Sequence, residues 1–337
     1  MKHRKVSIGI LGAGKMAYWH LRAYRFNPHV KVLAICNPRS KRGLELAKKF
    51  KIPDNFCEAE KILSLPGLDA IDICAPTGLH KELICAAIKK GLDVYTEKPM
   101  CCSLKEADEI VELNKVCKKK IFVGFNLRFC KEYIAIKDIL DSGELGDVRF
   151  IFFMRGNIVN PDSHIFDPTL FSGIITEFGS HFLDLLRWWG HTDVQAVYSQ
   201  GTNIFSNYPR PDTVSLNIKF KDGLSAGIIN TYAMPNLSPE ILILGSKKML
   251  RLKYGKVLVQ KLPGRWSIPS LLWITLKESM ILPYRILYNP LKNACGYFVE
   301  CIRDDKPPVV DEIEGRENVR LAELLNESYR QERALTF

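Results

Sequence analysis

Three chemically active side chains interrupt the apolar stretch "IITEFGSHFLD" near the middle of the chain. Glu177, His181 and Asp184 stand at positions i, i+4 and i+7, which share one face if the stretch forms a helix. A carboxylate, an imidazole and a second carboxylate in one row suit a metal site, an acid–base device or a satisfied structural network. The spacing by itself leaves these three interpretations open.

A second candidate site follows the first apolar run. The segment "GAGKMA" fits the pattern G-x-G-x-x-G/A, comes directly after a predicted strand and opens a predicted helix. In that context the first glycine permits a tight turn, the second lets backbone N–H groups approach a pyrophosphate, and the helix N-terminus favours the anion. The segment therefore predicts a dinucleotide site that begins with Gly12, Gly14, Lys15 and Met16, although a glycine turn without a ligand is the alternative.

The end of the second predicted strand bears on the choice between NAD and NADP. Where NAD enzymes usually place an acidic residue for the ribose 2′-hydroxyl, this chain has Asn37, followed closely by Arg39 and Ser40. An arginine and a hydroxyl in place of a carboxylate favour a 2′-phosphate. We therefore expect NADP in preference to NAD, while Asn37 could still hydrogen-bond an unphosphorylated ribose.

Repeated β–α units must position these residues. Short apolar runs alternate with helical patterns throughout residues 6–125, which predicts a doubly wound parallel sheet in a Rossmann domain covering residues 1–126. Residues 127–337 are predicted to form an α+β domain with a large, mainly antiparallel sheet, because β-rich segments dominate from Val148 and "KDG" marks a hairpin. The predicted strands are 6–11, 30–36, 70–74, 93–96, 121–125, 148–156, 193–203, 212–221, 224–232, 240–245 and 248–260; the predicted helices are 16–24, 41–50, 80–90, 104–119, 293–303 and 314–329.

Composition narrows the class of protein. The chain has 337 residues, of which 47% are apolar and 25% are charged, so it can form about two globular domains. The net charge of +11 favours an anionic substrate, whereas no nucleic-acid motif accompanies it. Ten cysteines without a C-x-x-C pair indicate buried thiols in a reducing compartment. The basic, apolar N-terminus imitates a signal peptide, but Lys15 interrupts it without a cleavage site, so we expect a cytoplasmic protein.

Several motifs occur in a fixed order after the glycine turn. They are "APTGLH" at 75–80, "GLDVYTEKPM" at 91–100, "VGFNLRF" at 123–129 and then "EFGSHFLD". Together they resemble the Gfo/Idh/MocA family of NAD(P)-dependent oxidoreductases, which is named for glucose-fructose oxidoreductase and inositol dehydrogenase. The resemblance covers essentially the whole chain. It implies hydride transfer between a nicotinamide cofactor and a secondary hydroxyl or keto group of a sugar, cyclitol or nucleotide-sugar.

The resemblance also implies roles for three residues. Lys98 in the intact E-K-P motif is expected to polarise and position the substrate oxygen, and His181 to take up or return the hydroxyl proton. Glu177 stands where the family usually has aspartate, and we expect it to orient or tune its neighbours. Without the ordered motifs, Lys98 would be interpreted as a surface lysine and His181 as a packed core histidine. A metal site is disfavoured because no second histidine or cysteine lies in register.

Further residues are carried over from the matching motifs. Asp184 is expected to support its helix or its neighbours. The residues expected along the cofactor are Pro76, Thr77, His80, Glu97, Lys98 and Asn126, and Arg128 is a candidate substrate contact. Outside these motifs, Arg155 and His164 are two further candidate substrate contacts.

Two other functions remain open within the same fold: a nucleotide-binding sensor without turnover, and glycoside cleavage with transient oxidation at tightly held NAD. The apolar segment 265–291 is too short and too broken to span a membrane. We expect it to serve as a lid or as part of an interface in a homodimer or homotetramer. A peripheral membrane contact is the second alternative.

Overall fold

The first half of the chain forms a parallel six-stranded sheet with helices between its strands. The structure, a computed structural model, describes residues 4–38, 40–160, 166–167, 169–204, 211–234, 239–261 and 290–337. The strands lie in the order β3-β2-β1-β4-β5-β6. The elements of this half are β1 (Val6–Leu11), α1 (Lys15–Arg25), β2 (Val30–Cys36), α2 (Ser40–Phe50), β3 (Asp54–Phe56), α3 (Ala59–Leu63), β4 (Ala70–Ile73), α4 (His80–Lys89), β5 (Asp93–Thr96), α5 (Leu104–Cys117) and β6 (Ile121–Val123).

The order of these strands places a crevice at their carboxyl ends. The chain proceeds outward from β1 through β2 to β3, and then returns to the other side of β1 with β4. Ligands of doubly wound sheets bind at this switch point. The glycine turn after β1 and the E-K-P motif after β5 both lie at this edge.

The second half forms an eight-stranded sheet with the order β13-β12-β11-β7-β10-β9-β8-β14. Among these strands only β7 and β10 are paired in parallel, so the sheet is mainly antiparallel as predicted. The elements of this half are α6 (Lys131–Asp141), β7 (Val148–Gly156), α7 (Ile174–Glu177), α8 (Ser180–Trp188), β8 (Val194–Thr202), β9 (Thr213–Phe220), β10 (Ser225–Thr231), β11 (Glu240–Gly245), β12 (Lys248–Lys253), β13 (Lys256–Lys261), α9 (Pro290–Arg303), α10 (Glu312–Gln331) and β14 (Leu335–Thr336).

Each half has its own apolar core, but the chain returns to the first core near its end. Helix α9 packs against α1, and its residues Ala294, Cys295 and Phe298 are buried with the Rossmann strands. The predicted division after residue 126 therefore does not follow the packing at α9, which lies in the predicted second domain but completes the core of the first.

Most predicted elements are confirmed, and the differences have local causes. The single strand predicted at 248–260 is two strands, β12 and β13, because Tyr254 and Gly255 turn the chain with φ values of 50° and 70°. The short elements β3 and α3, and helix α6, were not predicted. "KDG" forms the expected hairpin between β9 and β10, with Gly223 at φ 93°.

Some predictions fall on parts of the chain that the structure does not describe. Arg39, His164 and residues 262–289, which include nearly all of the segment 265–291, lie outside the described residues. Within the described ranges, no helix combines the length and the apolar character that crossing a membrane requires.

Candidate active site

The row Glu177, His181 and Asp184 does not lie on one continuous helix. Helix α7 ends at Glu177 and α8 begins at Ser180. The helix is interrupted around Gly179, where a Cβ atom would lie 2.3 Å from the carbonyl oxygen of Ile175. The condition for one shared face, a single continuous helix, is therefore not met, and each side chain has a different environment.

Lys98 reaches across the domain boundary to this break. Its Nζ donates a hydrogen bond to the backbone carbonyl oxygen of Glu177 over 2.6 Å. Burial lowers the pKa of Lys98, while the carboxylates of Glu177 and Glu97 oppose that effect. The E-K-P loop and the end of α7 are thus joined through the lysine that the sequence predicts at the centre of the site.

Two buried histidines fix the E-K-P loop by hydrogen bonds. His20 on α1 places Nε2 at 2.8 Å from the carboxylate of Glu97 and Nδ1 at 2.7 Å from that of Asp72 on β4. His80 places Nδ1 at 2.8 Å from the carbonyl oxygen of Pro99. Lys98 lies between these two anchored residues, so the loop that presents it is fixed on both sides.

The charge state of the His20 network follows from its geometry. Ionised carboxylates only accept hydrogen bonds, so both ring nitrogens of His20 donate when Asp72 and Glu97 are ionised. Burial lowers the pKa of His20, but Asp72 overcomes this effect and the pKa is raised well above 6.5. Likewise, burial raises the pKa of Glu97, but its hydrogen bond to His20 leaves that pKa below 4.5. The carboxylate of Glu97 is therefore held by His20 in the Rossmann core, and its role at the candidate cofactor site is to fix the loop that carries Lys98.

His181 stands close to two cations. Burial lowers the pKa of His181 well below 6.5, and the positive charges of Lys98 and Arg155 lower it further. Its Nδ1 is buried and has no hydrogen-bond partner among the described residues. The imidazole is therefore neutral near pH 7 and can accept a proton.

Arg155 and Tyr232 complete this end of the site. The guanidinium of Arg155 lies over the ring of Phe178, with Cζ 4.5 Å from the ring centroid. Tyr232 stacks on the ring of Phe178 at a centroid distance of 5.5 Å, and burial raises the pKa of Tyr232. Both side chains surround the residue that follows Glu177.

The two carboxylates of the row have hydrogen-bond partners other than His181. Oε1 of Glu177 accepts a hydrogen bond from the backbone N–H of Ser172 over 3.2 Å. Asp184 is buried and accepts from Nη2 and Nε of Arg128 over 2.7 and 3.0 Å. The expectation that Asp184 supports its neighbours is confirmed by this pair.

The ion pair with Asp184 engages the guanidinium of Arg128. Its guanidinium is buried and also donates to Glu314 on α10 over 2.8 Å. Such an arrangement ties α8, α10 and the turn after β6 together, and it leaves the substrate role expected of Arg128 without support in the geometry.

The glycine turn has the features that a pyrophosphate requires. Gly12 has φ 111°, and a Cβ there would lie 2.6 Å from the carbonyl oxygen of Cys74, so only glycine fits. A Cβ at Gly14 would meet no atom of the described residues within 4 Å, so the backbone at the start of α1 is open to a ligand. Gly14 is the N-cap residue and has no side chain to cap the helix. These observations fit a dinucleotide phosphate.

The remaining predicted cofactor residues lie at the same edge of the sheet. Lys15 is exposed and Met16 is half-buried at the start of α1, and Asn37 follows β2, with its backbone N–H 3.0 Å from the carbonyl oxygen of Phe56. Ser40 begins α2. The residues that follow β4 and β6 at this edge are Pro76, Thr77, His80 and Asn126. His80 is buried with its second nitrogen 2.9 Å from the carbonyl oxygen of Ala75, so its ring braces the loops.

One group of metal-type ligands occurs among the described residues, and it lies away from the 174–184 row. The ligand atoms of His20, Asp72 and Cys74 lie within 4.8 Å of one another. Both nitrogens of His20 are already directed at carboxylates, so the group is arranged as an ion-pair network.

The comparisons with known proteins agree with this architecture. A family model described as "Oxidoreductase family, NAD-binding Rossmann fold" matches residues 6–125, and the model of the Gfo/Idh/MocA C-terminal domain matches residues 133–251. The chain belongs to the Gfo/Idh/MocA oxidoreductase family. The fold class, the enzyme class and the NAD-binding Rossmann domain predicted from the ordered motifs are thereby confirmed.

Individual members of the Gfo/Idh/MocA family resemble the chain over its whole length. The scyllo-inositol 2-dehydrogenase (NAD(+)) of Bacillus subtilis (strain 168) is 24% identical over 346 residues, which cover 98% of this chain and 95% of that enzyme. The WlbA dehydrogenase from Bordetella pertussis, solved with NADH and UDP-GlcNAcA, has a TM-score of 0.83 and 19% identity, covering 100% of this chain and 99% of its own. The scyllo-inositol dehydrogenase from Lactobacillus casei, solved with NAD(H) and scyllo-inositol, has a TM-score of 0.78 and 18% identity over 99% of both chains.

The sequence reasoning missed several residues around the site. Asp72 is a lone carboxylate inside the buried strand "AIDI", and His20 lies on the apolar face of α1. A charged or polar residue in a fully buried element needs a partner, so this pair could have been sought. Tyr232 and Asn230 lie at the end of β10, where no motif marked them.

Proposed function

We propose that the protein transfers a hydride between a nicotinamide cofactor and a secondary hydroxyl or keto group of a sugar, cyclitol or nucleotide-sugar. The main support is the hydrogen bond from Lys98 to the carbonyl oxygen of Glu177, which places the lysine close to His181 at the carboxyl edge of the Rossmann sheet. The inositol dehydrogenases among its relatives act on a substrate of this kind.

In this proposal His181 handles the proton. A neutral imidazole whose pKa is held low accepts the hydroxyl proton during oxidation and returns it during reduction. Lys98 donates a hydrogen bond to the same oxygen and stabilises negative charge as it develops. Glu177 orients Lys98 through its carbonyl oxygen and keeps the ammonium charged through its carboxylate.

The open N-terminus of α1 would hold the cofactor pyrophosphate, with Gly12 and Gly14 allowing close approach. When bound, the nicotinamide ring supplies the hydride acceptor or donor. For the 2′-position we infer a phosphate, and hence NADP, from Asn37, Arg39 and Ser40 in place of an acidic residue. The ratio of kcat/KM for NADP(H) to that for NAD(H) tests this inference, and a strong preference for NAD would refute it.

A turnover screen tests the main proposal. Sugars, cyclitols and nucleotide-sugars are incubated with each cofactor, and the absorbance of reduced nicotinamide is followed. On the best substrate, Lys98→Met and His181→Asn should each lower kcat by about 10²-fold or more, and near-normal kcat in either variant would refute the assigned roles. Cofactor binding without turnover of any compound would favour a sensor, and sugar cleavage without net reduced cofactor would favour a glycosidase.

We also infer a homo-oligomer, from the face of the eight-stranded sheet that points away from α8. On β7, Ile151 and Phe153 are buried in the core, whereas Phe150 and Phe152 on the other face are only partly covered. Leu244 and Leu242 of β11 stand opposite these two residues in register. An apolar face of this kind suits a second copy of the chain. Light scattering of wild-type protein and of Phe152→Asp would show a change to monomer if the face is the interface.

Two further inferences concern the surroundings of the protein. All ten cysteines are free thiols, which supports a reducing compartment such as the cytoplasm. The net charge of +11 supports an anionic substrate.

A further inference from the structure

Arg155 lies at the end of β7, on the face that carries the site. Ile151 and Phe153 precede it at two-residue steps and are buried, and Phe153 stacks on Phe182 of α8, so Arg155 points to the same side. In register with it on β10 is Asn230, whose buried amide also lacks a hydrogen-bond partner among the described residues. This end of the inner face therefore carries a buried amide that no described residue satisfies.

Phe178 connects Arg155 to the proposed reaction centre. The guanidinium lies over its ring at 4.5 Å. The preceding residue, Glu177, accepts the hydrogen bond from Lys98 at 2.6 Å, and His181 follows one turn later. Two cations and the proposed base thus surround a single short segment.

Arg155 is half-buried, and it differs from two other arginines of this domain. Arg128 is paired with Asp184 at 2.7 Å, and Arg187 is paired with Glu314 at 3.0 Å. Within the described ranges no carboxylate forms an ion pair with Arg155, and burial lowers its pKa. Removing a charge from water is costly unless an opposite charge compensates. A guanidinium stacked on an aromatic ring keeps its edge N–H groups free to donate.

We propose that Arg155 binds a carboxylate of the substrate, so that the substrate is an acidic sugar: a uronic or aldonic acid, free or linked to a nucleotide. The inference rests on the proposed function, because it concerns the same site. The carboxylate lies near the reacting hydroxyl, since Arg155 and Lys98 flank the same two residues, Glu177 and Phe178. Bidentate pairing of a carboxylate with a guanidinium fixes the orientation of the ligand.

The carboxylate would also act on His181. The charge of Arg155 is one cause of the low pKa of His181. A bound carboxylate neutralises that charge, so the pKa of His181 rises and the imidazole becomes a stronger base when an acidic substrate is present. A neutral sugar cannot produce this effect.

The test compares three pairs of probes that differ in the carboxylate: D-glucuronate and D-glucose, D-galacturonate and D-galactose, and D-gluconate and D-glucitol. Dissociation constants are measured by calorimetry on the protein saturated with reduced cofactor. In at least one pair the acid should bind about 10- to 100-fold more tightly, the range for a charge-assisted hydrogen bond. Arg155→Met should abolish that preference. Arg149→Met, on the exposed part of the same strand, should preserve it.

Equal binding of both members in all three pairs, or a preference that survives Arg155→Met, overturns the proposal. If Arg155→Met does not fold, Arg155→Lys replaces it, and the preference should fall because bidentate pairing is lost. Binding needs no turnover, so the two proposals fail separately. Acid binding without hydride transfer leaves the carboxylate site standing and removes the proposed function. Hydride transfer from neutral sugars that is unaffected in Arg155→Met leaves the proposed function standing and removes the carboxylate site.

Discussion

Replacing His20 with phenylalanine should destabilise the protein strongly. His20 and Asp72 are fully buried and the side chain of Glu97 is 9% exposed, so the imidazolium compensates two carboxylates that water barely reaches. Phenylalanine fills the ring volume but donates no hydrogen bond. Asp72 keeps the hydroxyl of Tyr24 at 2.8 Å, whereas Glu97 loses the partner that holds it.

The size of the effect follows from the buried charges. Removing one partner of a buried ion pair costs about 3 to 5 kcal/mol, because an uncompensated charge remains. Glu97 directly precedes Lys98, so the loop should also lose its fixed position. A displacement of about 1 Å at a catalytic group can cost ~10²-fold in rate. We therefore expect kcat to fall more than KM rises.

The pH of the measurement is set by the two pKa shifts. The pKa of His20 is raised above 6.5, so its stabilising contribution is complete below pH 6.5 and is lost as the pH rises through the raised value. The pKa of Glu97 is lowered from 4.5, so its contribution is complete above pH 4.5 and is lost as the pH falls through the lowered value. Both groups are charged in wild-type protein between these limits, and urea unfolding is compared there.

A surface pair provides the control. His191 and Asp222 are also 2.7 Å apart, but the side chain of Asp222 is 47% exposed. His191→Phe should cost no more than about 1 kcal/mol. A loss below about 1 kcal/mol in His20→Phe, or equal losses in the two variants, would refute the view that a buried imidazolium anchors the E-K-P loop.

Three further results are expected. Because the pKa values of His181 and Lys98 are both lowered, kcat/KM for alcohol oxidation should persist below pH 6.5 and decline on the alkaline side before pH 10.5; an acid limb centred at 6.5 in the pH–rate profile would contradict this. Arg128→Met should reduce the free energy of unfolding by about 3 to 5 kcal/mol, since Asp184 stays buried without its partner, and Arg128→Met/Asp184→Leu should recover part of that loss in urea unfolding. Gly12→Ala should weaken NADP(H) or NAD(H) binding by about 10-fold or more in fluorescence titration, because the added Cβ meets the backbone of Cys74; unchanged affinity would remove the turn from the cofactor site.

Short-range patterns account for what could be predicted. The alternation of apolar runs and helical periods identified the strands of both sheets, because burial of one face imposes a period on the sequence. The glycine turn was recognisable since its conformation restricts the residue type. The break at Gly179 was not predicted, because the apolar period continues on both sides of it, and the close approach of Gly179 to the carbonyl oxygen of Ile175 is visible only in the structure.

Contacts between distant parts of the chain could not be predicted in the same way. His20 meets partners 52 and 77 residues away, and α9 returns to α1 from the other end of the chain. Neither contact leaves a periodic signal, since the partners share no element and their distance depends on the packing of whole layers.

The sequence by itself determined the family, the two sheets and the glycine turn, and it predicted Lys98 and His181 as the centre of the site, because these depend on local residue types and on motif order. Only the tertiary structure decided which partner each polar residue of the row at 174–184 has. The carboxylate of Glu177 turns to Ser172, Asp184 pairs with Arg128, and His181 remains beside Lys98. It also left Arg155 without a counterion among the described residues. The physical reason is that a buried charge is satisfied by whichever group the fold brings within reach, and helical spacing does not specify that group.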